Sequence, residues 1–185
     1  MPRSLFEFQD PDRFIVGTVG MPGERQFFLQ CVKDRRIVSV AIEKGQAKVL
    51  ADGLDRILDE LHRGGVDVPM SNPGDADLEP LTTPIESEFQ AVAMGLAWNE
   101  MDHVLVLEVH GEAEDGIEIP DVEEDVEEGP DCLRVRFSLE QAREFVYRTN
   151  KVVAAGRKVC QFCQLMMEPQ GHICPRSNGF RRSAS

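Results

Sequence analysis

The stretch QFFLQCVKDRRIVSVAIEKGQAKVLADGLDRILDELHRGG, residues 26–65, decides the fold, because the apolar period changes once within it. Residues 26–32 and 37–42 are rich in Phe, Leu, Val and Ile on either side of Lys33-Asp34-Arg35-Arg36, the composition of two strands joined by a short polar turn. Beyond Glu43 the spacing becomes helical. Val49, Leu50, Leu54, Ile57, Leu58 and Leu61 fall on one stripe over about 46–62, and Gly64-Gly65 supplies the stop. A hairpin running into an amphipathic helix predicts an α+β unit.

Outward from this stretch the pattern extends and then repeats. Toward the N-terminus, residues 14–19 form a β-branched strand ended by Met21-Pro22-Gly23. Residues 66–83 carry three prolines among Asp, Ser and Asn and read as a linker. Residues 89–98 and 104–110 then form an apolar hairpin around Asn99-Glu100-Met101-Asp102, and 133–137 form a third strand alternating apolar residues with arginine. A second helix follows over about 139–155, apolar at Ala142, Phe145, Val146, Val152 and Val153. The two helix starts align if two residues are dropped. The expectation is an α+β protein of duplicated β-β-β-α units, 1–65 and 84–155, packed as one pseudo-twofold body because each half alone leaves a sheet face or edge bare. Chance similarity between amphipathic segments is the rival explanation.

Charge is unevenly distributed. Of the net −13, residues 112–131 supply eleven acidic residues and no Lys or Arg, which leaves −2 for the rest. Self-repulsion predicts a solvated, mobile acidic loop; the rival readings are a strip for a basic partner and docking on the chain's own basic tail. No window approaches the ~18 apolar residues of a membrane span. Five cysteines, three of them clustered, suit a reducing compartment, so a cytoplasmic protein is expected.

The chemistry-bearing motif lies in 156–185. Cys160-Gln-Phe-Cys163 is followed by Gly171-His172-Ile173-Cys174-Pro175, and Cys160, Cys163, His172 and Cys174 make a complete tetrahedral set for structural Zn2+. With four protein ligands no position remains for substrate. A pair of reduced thiols or a redox CxxC are the alternatives. Arg157, Lys158, Arg176, Arg181 and Arg182 surround the motif. Arg157, Arg176, Arg181 and Arg182 are candidate partner-binding residues: with Phe162 or Phe180 they could hold nucleic acid, although the overall charge opposes a polyanion, or a protein partner. They could equally cap the preceding helix as part of a structural clip.

Residues 154–182, AAGRKVCQFCQLMMEPQGHICPRSNGFRR, closely resemble the C-terminal signature of an uncharacterised actinobacterial family, a domain of unknown function whose members are about this length and end in CxxC and PxGHxCPRxNG. The resemblance implies the company of a histidine-phosphatase-like protein and a kinase-like protein. It implies no assigned reaction.

No P-loop, GxGxxG turn or GxSxG elbow occurs, and no catalytic residue is nominated. His103 and His110 bracket a strand at odd separation, point to opposite faces and are expected at the surface or an interface. His62 suits a helix C-terminus and Trp98 the core rim. The reading is a cytoplasmic, non-enzymatic zinc-binding protein that recognises a protein partner. The alternatives are an enzyme or enzyme subunit acting with the phosphatase-like and kinase-like proteins, and nucleic-acid binding through the tail. Oligomeric state is left open.

Overall fold

The computed structural model describes residues 3–21, 23–70, 76–114 and 117–155, together with Cys160, Phe162, Cys163 and Cys174. In chain order the elements are β1 (Leu5–Gln9), β2 (Arg13–Val19), β3 (Gln26–Lys33), β4 (Arg36–Ile42), α1 (Lys44–Arg63), β5 (Ser87–Gln90), β6 (Ala93–Asn99), β7 (Val104–His110), β8 (Cys132–Phe137) and α2 (Leu139–Ala154). They build an α+β fold of two helices and two four-stranded sheets, ordered β2-β3-β4-β5 and β1-β8-β7-β6.

Each sheet contains an antiparallel meander from one half of the chain, and each meander leads into its helix through a single residue, Glu43 or Ser138. The fourth strand comes from the other half. β1 lies parallel on β8, from Leu5 beside Cys132 to Gln9 beside Arg136, and β5 lies parallel on β4. This exchange covers one edge of each meander with a strand of the opposite repeat, which otherwise would present unpaired backbone groups.

The strand expected over 89–98 is therefore two strands. The Ala91 N–H donates to the Ala41 carbonyl of the first sheet at 2.8 Å, and the Val92 N–H donates to the His110 carbonyl of the second at 2.8 Å. The chain changes sheets between these two residues. β1, absent from the three-strand pattern, is the counterpart of β5; at five and four residues each is too short to show a period of its own.

The helix starts match without any gap. In α1 the Gln46 side chain accepts from the Glu43 N–H at 2.8 Å, and in α2 the Gln141 side chain accepts from the Ser138 N–H at 2.8 Å. Both glutamines also reach the opposite repeat, Gln46 Nε2 donating to the Ala91 carbonyl at 3.1 Å and Gln141 Nε2 to the Pro11 carbonyl at 2.9 Å. Ala47 and Ala142, the next residues, are both fully buried. The two-residue deletion used to align the sequences is unnecessary: Glu43 corresponds to Ser138 and Gln46 to Gln141.

One core joins the halves. The inward faces of both sheets and the stripes of α1 and α2 form a single apolar cluster, within which Phe14 of β2 stacks on Phe145 of α2 at 4.4 Å and lies 4.8 Å from Phe137 of β8. Burying aromatic rings from three elements is the dominant stabilising contribution at this junction. α1 and α2 also contact each other, and Arg143 pairs with Asp55 at 2.9 Å across them.

The outer sheet faces are covered by the connectors. On the first sheet, Leu81 packs on Ile15 and Phe28, and the buried Gln30 side chain donates to the Thr82 carbonyl at 2.9 Å and accepts from its N–H at 2.8 Å. Arg148 of α2 ties the same strap down, donating to the carbonyls of Val16, Asp77 and Glu79 at 2.9, 2.5 and 2.6 Å. On the second sheet, Val122 lies against Gly95 so closely that a Cβ there would sit 2.5 Å from Val122 Cγ2.

Within the expected free acidic loop, residues 122–125 are instead held against the sheet. Arg134 bonds Asp125 at 2.8 Å, and Arg136 bonds Glu123 at 3.0 Å as well as Glu7. The outward face of β8 carries cations that need counter-charge, and the acidic segment supplies it.

Candidate functional site

The cysteines of the tail converge. Cys160, Cys163 and Cys174 place their sulfurs within 4.8 Å of one another, with Cys160 Sγ and Cys174 Sγ 3.7 Å apart. A tetrahedral ion with metal–sulfur bonds of about 2.3 Å requires sulfurs roughly 3.8 Å apart, so the spacing fits a thiolate metal site. Cys160 and Cys174 are buried and Cys163 is half-buried, a setting that shields metal–thiolate bonds from water. Backbone N–H groups of Cys163 and Phe162 point at the Cys160 sulfur and pull its thiol down to about 7. None of the five cysteines forms a disulfide. His172, the fourth ligand expected, lies outside the described residues, as do Arg157, Arg176, Arg181, Arg182 and Phe180; Phe162 is 63% exposed beside the cluster. Of the four ligands expected for one ion, three are thus seen together.

A second grouping was not foreseen. β7 and β8 pair with His110 opposite Cys132 and Glu108 opposite Arg134, so on the outward face of the second sheet these four side chains adjoin. Glu108 and Cys132 are 0% exposed and His110 is 2% exposed. His110 is therefore not a surface histidine. The prediction that it points away from the face of His103 has no bearing, because His103 lies in the β6–β7 turn with φ 54°. Arg134 Nε donates to Glu108 Oε1 at 2.5 Å, and the Glu123 N–H donates to the same oxygen at 2.9 Å. Burial opposes the Arg134 cation, but hydrogen bonds to Asp125 and Glu108 outweigh it and raise its pKa above the ordinary value. Burial lowers the His110 pKa against the pull of Glu108, with Arg3 and Arg134 adding to the lowering. The legible sign was the spacing: Glu108 and His110 stand two apart in an otherwise apolar strand, which puts both on one face.

The first sheet offers a different surface. A cleft of about 960 Å3 opens where β5 joins β4, lined by Arg25, Phe28, Ala41, Lys44, Ile85 and Gln90 among others, with Glu43 the only acid and no histidine or cysteine among its described lining residues. Such a lining has apolar and cationic groups for binding, and the hydroxyl of Ser87 within it accepts from the Ala41 N–H and donates to the Phe89 carbonyl. No helix among the described residues is long and apolar enough to cross a membrane.

Comparison with known proteins returns no match among curated proteins and none among solved structures. A family model described as "Protein of unknown function (DUF3090)" matches residues 6–174, spanning both sheets, both helices and the cysteine cluster, and the chain belongs to that family.

Proposed function

We propose that this is a cytoplasmic zinc-binding protein that recognises a protein partner, with Cys160, Cys163, His172 and Cys174 holding a structural zinc ion. The observation that carries the metal is the 3.7 Å separation of Cys160 and Cys174 with Cys163 beside them. Thiolates select zinc over magnesium or calcium, and a filled tetrahedron gives the ion a structural role. That the described cysteines form no disulfide favours a reducing compartment. Recognition is supported by the open cleft beside β5, whose Phe28, Ile85, Arg25 and Lys44 combine apolar contact with positive charge. In a zinc analysis of protein purified without chelators, Cys163→Ser is expected to remove one zinc per chain. In affinity capture, Arg25→Glu with Lys44→Glu is expected to lose partners that the unaltered chain retains. Equal zinc in both proteins would reject the metal assignment, and capture indifferent to the charge reversal would reject the cleft.

A further inference from the structure

The Glu108, His110 and Cys132 side chains offer a carboxylate oxygen, an imidazole nitrogen and a sulfur, all within 4.8 Å of one another and all buried. The salt bridge to Arg134 explains only part of this arrangement. It occupies Glu108 Oε1, whereas Glu108 Oε2 is buried and makes no hydrogen bond among the described residues. Oε2 lies 3.2 Å from His110 Nε2, yet this approach does not have hydrogen-bond geometry. Leaving a buried carboxylate oxygen unpaired is costly, so a purely structural cluster would be expected to pair it.

We propose that Glu108, His110 and Cys132 form a second metal site, selective for a divalent transition ion of zinc-like chemistry and separate from the tail cysteines. One hard, one borderline and one soft donor suit zinc, cobalt(II) or iron(II) and not magnesium or calcium. The 3.2 Å oxygen-to-nitrogen distance matches the edge of roughly 3.3 Å expected when both atoms bind one ion at about 2.0–2.1 Å. Arg134 and the Glu123 N–H hold Oε1, and this fixes the carboxylate with Oε2 as its single ligand atom; Arg134 is thus a positioning residue. Binding releases the Cys132 thiol proton, and the ion's two positive charges are then balanced by thiolate and carboxylate. Asp125 offsets Arg134, so the guanidinium does not leave the site cationic. Three protein ligands leave a fourth position. The Arg3 guanidinium acts on both Cys132 and His110, and its buried Nε and Nη2 make no hydrogen bond among the described residues, which favours an anionic fourth ligand, hydroxide or a carboxylate or phosphate oxygen.

The test uses the full chain carrying Cys160→Ser, Cys163→Ser and Cys174→Ser together, freed of metal under reducing conditions and titrated with cobalt(II). The expected result is uptake of about one ion with thiolate-to-cobalt charge-transfer absorption; adding Cys132→Ser abolishes the band, and His110→Gln weakens binding about tenfold or more. A folded triple variant with no such band, or a band that survives Cys132→Ser, overturns the site. Should the Cys132 variant fail to fold, the melting temperature of the triple variant decides: the site requires a rise with zinc that His110→Gln removes, and its absence refutes it.

Discussion

At the scale of residues, two glycines mark where the connectors press on the sheets. A Cβ on Gly17 would lie 2.5 Å from Leu81 Cγ, and one on Gly95 would lie 2.5 Å from Val122 Cγ2. Glycine within a strand signals close approach of something to the backbone, and the repeat carries this signal in β2 and again in β6. Gly95→Ala should displace Val122 and loosen the acidic strap, costing about 1–3 kcal/mol in urea unfolding as overpacked sites do. A change below a few tenths would mean that the strap is not seated there. What approaches each glycine was not legible, since Leu81 and Val122 lie in polar segments remote in sequence from the strands they cover. Glu108, His110 and Arg134 were partly legible: alternation puts Glu108 and His110 on one face and the arginines of β8 on one face. That the two faces coincide follows only from the register of β7 against β8.

At the scale of elements, the meanders and helices were readable because each carries its own period: the turn at 33–36, the stripe of α1 and the alternation of β8 are local. β1 and β5 were not, because at five and four residues they are too short to show a period, and the parallel partner on which each sets its phenylalanines into the core is remote in sequence. The strap over the first sheet is likewise held by polar contacts, with Asp77 at its centre, bonded by Arg13 at 2.6 Å and 3.5 Å from Arg148. Burial pushes the Asp77 carboxyl up, but Arg13, the Glu79 N–H and Arg148 pull harder, and its pKa falls below the ordinary value. A carboxylate lowered on folding stabilises the native state above its unfolded pKa of about 3.9 and loses that contribution as pH falls through the lower folded value. Stability measured from about pH 5 down to pH 2 should therefore fall less steeply in Asp77→Asn than in the unaltered chain. Identical slopes would place the acid sensitivity elsewhere.

The whole molecule is a duplicated body sharing one core, with a cluster of C-terminal cysteines that could hold a metal ion. The core cluster closes over both sheets and both helices without Cys160, Cys163 or Cys174. Duplication was visible in the order of elements, but the crossing of β1 and β5 makes the halves interdependent in a way that no linear division conveys. The net charge of −13 had suggested a free acidic region, yet part of it neutralises arginines of the second sheet. The proposed function rests most heavily on the tail metal. The most direct test is X-ray absorption at the zinc edge of the Cys132→Ser chain, in which the proposed second site is removed. The account predicts three sulfurs at about 2.3 Å and one nitrogen at about 2.0–2.1 Å around zinc. A first shell of oxygen and nitrogen without sulfur, or protein that holds no zinc when prepared without chelators, would contradict it.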